Sequence, residues 1–312
     1  MSGPLRIGTR GSDLALWQAR HVAGLIAGRL GAETEIVVIR TRGDRIQNVA
    51  FHKMEGKGFF TKELQQALLE NRVDLVVHSL KDLPTEEPEG LALAAVPGRT
   101  VPSDLLLAAK GTLSPDHADP LGLPRGAVTG TSSLRRAAQL LALRPDLELA
   151  ALRGNVPTRI RKLREGAYGA IVLAAAGVRR LGLDLDGLDV LELPPEVMLP
   201  APGQGALAIE TRAEGPERET LATLHDGAAG RCVAAERELL RLLGGGCHLP
   251  LGALATPEAG DAIRLQAVLG VVDPEVRTAR VARAAATARE PDVAARLCRE
   301  ALREAIPEAF GP

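Results

Sequence analysis

An apolar run that ends in a lysine and an aspartate opens the chemistry of this chain: Val73-Asp74-Leu75-Val76-Val77-His78-Ser79-Leu80-Lys81-Asp82-Leu83-Pro84. A cation beside a carboxylate can anchor an anionic ligand with one group. The other can then move a proton or steady a developing positive charge. Arginines recur at similar places. Gly130-Thr131-Ser132-Ser133-Leu134-Arg135-Arg136 sets hydroxyls and two guanidinium groups at a helix start. Free N–H groups and the positive dipole end already favour an anion there. Leu152-Arg153-Gly154-Asn155-Val156-Pro157-Thr158-Arg159 repeats the theme, with Arg159 near the first turn of a helix whose dipole it opposes. Arg10 and Ser12 take the corresponding place in the first third of the chain, and Lys53 and Lys57 fall in a glycine-bearing loop.

The chain as a whole is nearly neutral, with a formal net charge of −1, so these positive strand ends imply a basic cleft and a substrate with several negative groups. The plainer alternative for Gly130 to Arg136 is a serine cap with solvated arginines, and Arg161 and Arg164 read as surface arginines of an arginine-rich chain. A carboxylate edged by arginines stays ionised, because opposite charge lowers its pKa. That favours Asp82 as a stabiliser of a developing cation, with general acid–base work still open. His78 reads as structural. Leu243-Gly244-Gly245-Gly246-Cys247-His248-Leu249-Pro250 displays a cysteine on a flexible loop, either as a nucleophile or attachment point or as a buried, inert thiol. Cys232 and Cys298 fall in helical patterns and fit the inert description.

Several classes are excluded. Gly56-Lys57-Gly58 lacks the Walker spacing, and no G-x-G-x-x-G follows a strand, so nucleotide cofactors have no support. Three cysteines without ligand spacing give no metal site and suggest reduced thiols. Near-neutral charge and an aromatic content of 2% argue against nucleic acid and membrane surfaces as partners. The amino terminus shows no secretory pattern and no apolar run reaches transmembrane length, so the expected location is cytoplasmic.

The elements needed to position these residues follow from hydrophobic periodicity. Strands are expected at 5–8, 36–39 (buried), 73–79, 91–96, 104–108, 127–131, 147–152, 170–173 and 206–210. Helices alternate with them at 14–26, 61–70, 134–144, 156–164 and 175–181, which predicts α/β lobes. Thr41 to Phe60 reads as a long functional loop. Linkers at 99–103 and 194–203 mark two crossings, so the strand at 206–210 could rejoin the first sheet. The last ninety or so residues read as a smaller α+β domain, with a helix at 228–243, an antiparallel pair at 263–272 and 278–286, and a helix at 292–306. No repeat of solenoid period is visible.

Taken in order, Thr9-Arg10-Gly11-Ser12 with Leu14-Ala15-Leu16-Trp17-Gln18-Ala19, Thr41-Arg42-Gly43-Asp44, Gly56-Lys57-Gly58, Val77 to Pro84, Gly130 to Arg136, Leu152 to Asn155, Pro202-Gly203-Gln204-Gly205 and Gly245-Gly246-Cys247 closely resemble the porphobilinogen deaminase (hydroxymethylbilane synthase) family over essentially the whole chain. The resemblance implies two hinge-joined α/β lobes similar to periplasmic binding proteins, at 1–99 with 203–219 and at 104–198. It also implies a C-terminal α+β domain, 223–312, that carries the cofactor cysteine. The implied reaction joins four porphobilinogens head to tail, with loss of ammonia, into hydroxymethylbilane on a dipyrromethane held to Cys247 by a thioether.

In that scheme Asp82 is the catalytic residue: it holds pyrrole N–H groups and stabilises the azafulvene cation. Arg10, Ser12, Lys57, Ser79, Lys81, Thr131, Ser132, Ser133, Arg135, Arg136, Arg153, Gly154, Arg159 and Gln204 bind cofactor or substrate, and Phe60 packs near the rings. No metal is implied, and the expected state is a monomer acting on a small molecule. Asp13 and Glu55 depart from the family pattern, as do the uncharged crossover Thr100 to Ser103 and His248. Two other functions are compatible with parts of the pattern: a non-enzymatic two-lobed anion receptor, and a Cys247–His248 thiol hydrolase. Neighbouring residues tend to point apart, which weakens the second.

Overall fold

The computed structural model describes residues 3–40, 61–116, 118–245, 249–273 and 278–310. In chain order its first elements are β1 (Leu5–Thr9), α1 (Asp13–Leu30), β2 (Thr34–Val38), α2 (Lys62–Leu69), β3 (Leu75–Ser79) and β4 (Leu91–Ala95). There follow β5 (Asp104–Ala109), β6 (Val128–Gly130), α3 (Leu134–Leu143), β7 (Glu148–Ala150), α4 (Val156–Arg164), β8 (Ala170–Ala174), α5 (Ala175–Arg180) and β9 (Leu188–Leu193). The last are β10 (Leu207–Arg212), α6 (Pro216–Ala222), α7 (Gly227–Leu242), β11 (Leu251–Pro257), β12 (Ile263–Asp273), β13 (Thr278–Ala288) and α8 (Pro291–Ala305). They form two compact units. One takes the described residues up to Thr100 with Gly205–Val233, and the other takes Val101–Gln204 with the described residues from Ala234 onward.

In the first unit the sheet order is β2-β1-β3-β10-β4. β1 pairs parallel with β2 and β3, whereas β10 is antiparallel to both β3 and β4. The strand after the second linker therefore does rejoin the first sheet. β3 is covered on both faces, which is why its sequence is continuously apolar. One face packs Leu75 and Val77 with Ile7, Val22 and Ile26, and the other packs Val76 with Leu64 and Leu68. Ser12 caps α1 by accepting from the Ala15 N–H at 3.3 Å. Gly31, at φ 62°, closes the helix in the left-handed region that glycine tolerates. Arg6 grips Asp74 with Nε to Oδ2 at 3.0 Å and Nη2 to Oδ1 at 2.8 Å, which fixes the start of β3 beside β1.

The buried strand expected at 36–39 is corrected. β2 lies at the sheet edge, half-buried, and Val38 is 52% exposed. A short apolar run is equally compatible with an edge or a centre, and only the pairing decides.

The second unit holds two sheets. The five-stranded one has the order β7-β6-β8-β5-β9. β6 is parallel to β7 and β8, and β5 is antiparallel to β8 and β9. This repeats the first sheet strand for strand, with β6 in the place of β1, β8 in that of β3 and β5 in that of β10. β9 was not anticipated: Leu188-Asp189-Val190-Leu191-Glu192-Leu193 mixes acidic and apolar residues without strict alternation and merges into the proline linker, yet it pairs along its whole length with β5.

The other sheet is the antiparallel meander β11-β12-β13. Its first strand was also missed, because Leu251-Gly252-Ala253-Leu254-Ala255 lacks β-branched residues. Close packing makes up for this. A Cβ on Gly252 would lie 2.8 Å from the Leu199 carbonyl oxygen, and one on Gly270 would lie 2.5 Å from Ala138 Cβ on α3. Glycine at both positions lets this sheet sit directly on the segment before Pro200 and on α3.

Candidate functional site

In an open α/β sheet, ligands gather beyond the carboxyl ends of the parallel strands. In the first unit those ends are Thr9, Val38 and Ser79. After β1 the buried Thr9 donates from Oγ1 to the Ala15 carbonyl at 3.1 Å, which folds the Arg10-Gly11-Ser12 loop over the start of α1. After β3 the chain makes a single 3-10 turn, Leu80–Asp82, held by Leu80 N–H to the Ala206 carbonyl at 3.1 Å and Leu83 N–H to the Leu80 carbonyl at 3.1 Å. Leu80 and Leu83 point into the core and Asp82 is exposed. A pocket opens between these loops, lined by Arg10, Ser12, Gln18, Thr61, Ser79 and Asp82 among others. A guanidinium and hydroxyls thus face the same space as one carboxylate.

Gln18 and Thr61 were not anticipated as site residues. Gln18 Nε2 donates to Ser79 Oγ at 2.7 Å, tying α1 to the end of β3. A buried glutamine on an otherwise apolar helix face was the available signal. A broader hollow at the opposite ends of β1 and β2 is lined by Pro4, Gly31, Glu33 and Glu35 with no basic residue, which is the wrong chemistry for an anionic ligand.

The second unit, taken by itself, presents β6 in the place of β1. Ser133 caps α3, its Oγ accepting from the Arg136 N–H at 3.5 Å, and Thr131 Oγ1 accepts from the Ser133 N–H at 3.2 Å. Ser132 is exposed, and its Oγ bridges to the Leu152 carbonyl at 2.9 Å and N–H at 3.0 Å, which joins this loop to the Arg153 loop. Asn155 caps α4 through the Thr158 N–H at 3.0 Å. Gly154 sits at φ 109°, and a Cβ there would lie 2.7 Å from Thr158 Cγ2, so only glycine fits the turn. Arg153 is half-buried, and Arg159 donates from Nε to the Gly154 carbonyl at 2.8 Å.

Arg135, Arg136 and Gln204 depart from the expectation of ligand contact. All three are buried around Asp104, the first residue of β5. Arg135 Nη1 lies 2.8 Å from Asp104 Oδ2, Arg136 Nη2 lies 2.7 Å from Oδ1, and Gln204 Nε2 donates to Oδ1 at 2.9 Å. Arg136 also donates to the Val172 carbonyl at 2.8 Å and Arg135 to the Leu199 carbonyl at 2.7 Å. The helix position is legible locally, but the shared partner of Arg136 lies 32 residues away in sequence and is not. Two guanidinium groups against one carboxylate leave positive charge in excess at the first turn of α3, so the end of the helix keeps its bias toward anions.

Burial alone would raise the Asp104 carboxyl, but the two guanidinium groups outweigh it and hold the group well below the usual carboxylate range. A depressed folded-state pKa gives stability that is complete above the unfolded value, near pH 4. That stability is lost as the pH falls below it. Asp104→Ala is therefore expected to lower unfolding free energy at neutral pH by about 3–5 kcal/mol, because it strands two buried cations. Denaturant unfolding at pH 7 and pH 3 checks this, and the variant's deficit should shrink at the lower pH.

Lys57, Phe60, Cys247 and His248, along with Lys53, lie outside the described residues. Among the described residues no group of histidine, cysteine and acidic side chains could hold a metal ion, and no helix is long and apolar enough to cross a membrane. The other two cysteines are buried, and burial pushes the Cys298 thiol up to about 11, consistent with an inert role.

Comparison with known proteins covers nearly the whole chain. The family model described as porphobilinogen deaminase, dipyromethane cofactor binding domain, matches residues 5–220. The one described as porphobilinogen deaminase, C-terminal domain, matches residues 230–304. The chain is 45% identical over 320 residues to the porphobilinogen deaminase of Nitratidesulfovibrio vulgaris (strain DSM 19637 / Miyazaki F), covering 98% of this chain and 97% of that one. It is 46% identical over 273 residues to that of Brevibacillus brevis, covering 87% and 86%. Similar solved structures include the substrate binding protein of an amino acid ABC transporter, with a TM-score of 0.41 at 14% identity, covering 78% of this chain and 95% of that chain.

Proposed function

The chain belongs to the porphobilinogen deaminase family, and from that premise we propose how its own residues divide the work. It is a transferase of tetrapyrrole biosynthesis that joins four porphobilinogens head to tail into hydroxymethylbilane, with release of ammonia, using a dipyrromethane cofactor. Bound, the dipyrromethane supplies the free pyrrole α-carbon at which the product grows. The donor set of the first unit suits such a group. Arg10, Ser12, Ser79 and Lys81 answer acetate and propionate, while Asp82 answers pyrrole N–H. Asp82 in the pocket of Arg10, Ser12 and Ser79 is the observation that carries this reading.

When the aminomethyl C–N bond of porphobilinogen breaks, the amino group leaves as ammonia and positive charge spreads over the pyrrole. Asp82 faces that charge and stabilises it. In the second unit Ser132, Ser133, Arg153, the Gly154 backbone and Arg159 take further carboxylates. Arg135, Arg136 and Gln204 act through Asp104 to hold the first turn of α3, and Thr131 holds Ser133. Lys57 and Phe60 keep the roles that their motif implies, and Cys247 attaches the cofactor.

The proposed division is 1–99 with 203–219, 104–198, and 223–312, supported by family models that part between residues 220 and 230. The reading carries over a cytoplasmic monomer that acts on a small molecule, without nucleic acid or membrane, in keeping with the near-neutral charge. Incubating the purified chain with porphobilinogen should release four ammonias per linear tetrapyrrole. Binding without consumption would replace the transferase with an anion receptor.

A further inference from the structure

Taking Asp82 as the catalytic carboxylate, as proposed above, we infer that His78, Glu210 and Gln65 form a positioning network that sets where β3 delivers Ser79 and Asp82. His78 Nε2 lies 2.9 Å from Glu210 Oε2, and Gln65 Nε2 donates to Glu210 Oε1 at 2.8 Å. All three are buried, in a region otherwise packed from Leu64, Leu68, Val73 and Val76. Each comes from a different element: His78 from β3, Glu210 from β10 and Gln65 from α2.

The geometry explains why this network is more than an isolated buried contact. β10 runs antiparallel to β3 with Ala208 opposite His78 and Glu210 opposite Val76. Glu210 and His78 are therefore diagonal neighbours on one face of the sheet. The remaining pairs of this ladder, Ile209 opposite Val77 and Leu207 opposite Ser79, would tolerate a slip. A slip of one residue would turn Glu210 and His78 to opposite faces and leave buried polar groups without their partners. On its other side β10 is irregular, with a shift against β4 between Ile209 and Glu210. The strand thus needs an anchor at the residue that supplies one. Ser79 is held from the other face by Gln18 of α1. The end of β3 is consequently clamped from both faces, and Asp82 follows three residues later on one short turn. His78 itself borders the pocket, and Gln65 extends the clamp to α2, whose Leu64, with the preceding Thr61, lines it as well.

A buried polar network of this kind yields little net stability compared with apolar residues of equal volume, and its effect is on register. Removing His78 and Glu210 together should therefore restore stability without restoring alignment. On folded, cofactor-loaded protein, His78→Phe is expected to lower kcat about tenfold, with KM for porphobilinogen within about twofold, since Asp82 acts mainly as charge develops. The double variant His78→Phe with Glu210→Leu should recover the melting temperature while kcat stays low. Recovery of kcat together with stability would reduce the network to packing and overturn the inference. Gln65→Met, a milder change that keeps the His78–Glu210 pair, should cost about threefold in kcat; an unchanged kcat would also count against it. Asp82→Asn measured alongside separates the two readings. If it retains turnover, the role of Asp82 falls. If it is inactive while His78→Phe is unimpaired, only the positioning network falls.

Discussion

Asp82→Asn is expected to lower turnover about a thousandfold while the protein folds as before. The side chain is exposed, follows the last residues of β3 and belongs to a 3-10 turn held by backbone bonds from Leu80 and Leu83. None of those bonds uses the carboxylate. Asparagine keeps the size and one acceptor oxygen, so a pyrrole N–H can still be bound. What disappears is the negative charge facing the cation formed when ammonia leaves. In a pocket where Arg10 supplies positive charge, no other lining residue among those described offers a carboxylate. The loss should fall on kcat and kcat/KM alike, with KM little changed. Turnover within tenfold of the parent enzyme would mean that Asp82 only shapes the loop.

Cys247→Ser is expected to abolish activity by a different route, and intact mass reads it directly. The parent protein should be heavier than its chain by two porphobilinogens less two ammonias, the balance for forming one thioether and one carbon–carbon bond. The serine variant should have the mass of the chain alone, because a hydroxyl is a far weaker nucleophile than a thiolate at neutral pH. Cys232→Ser and Cys298→Ser should keep the adduct, as both thiols are buried and inert. An adduct surviving on Cys247→Ser, or an active parent protein of unmodified mass, would remove the cysteine from its role.

How much of this was legible beforehand depends on what each residue type reveals locally. The runs that became β3, β5 and β8 were plain because strands covered on both faces must be apolar throughout. The serine caps of α1 and α3 were readable too, since a serine before a helix acts on its own next turn. β9 and β11 were missed, as their stability comes from neighbouring strands and close glycine contacts rather than from their own composition. Arg135 and Arg136 show the same limit within the site. Their place at the helix start was right, but a sequence does not show that Asp104 waits across the sheet. Gln18 was hidden for the converse reason, a polar residue buried on an apolar face to hold Ser79.

The order β2-β1-β3-β10-β4 also governs how the chain can be made. Among the described residues β4 pairs only with β10, and β3 keeps one edge open until Leu207–Arg212 arrives. On a ribosome the first lobe therefore stays incomplete while more than a hundred further residues emerge. The second sheet draws all five strands from the contiguous stretch between Asp104 and Leu193. It can close as soon as that stretch leaves the exit tunnel. The lobe encoded second is thus the one finished first, and the turn after β3 that carries Asp82 takes its final form only when β10 slides in behind it.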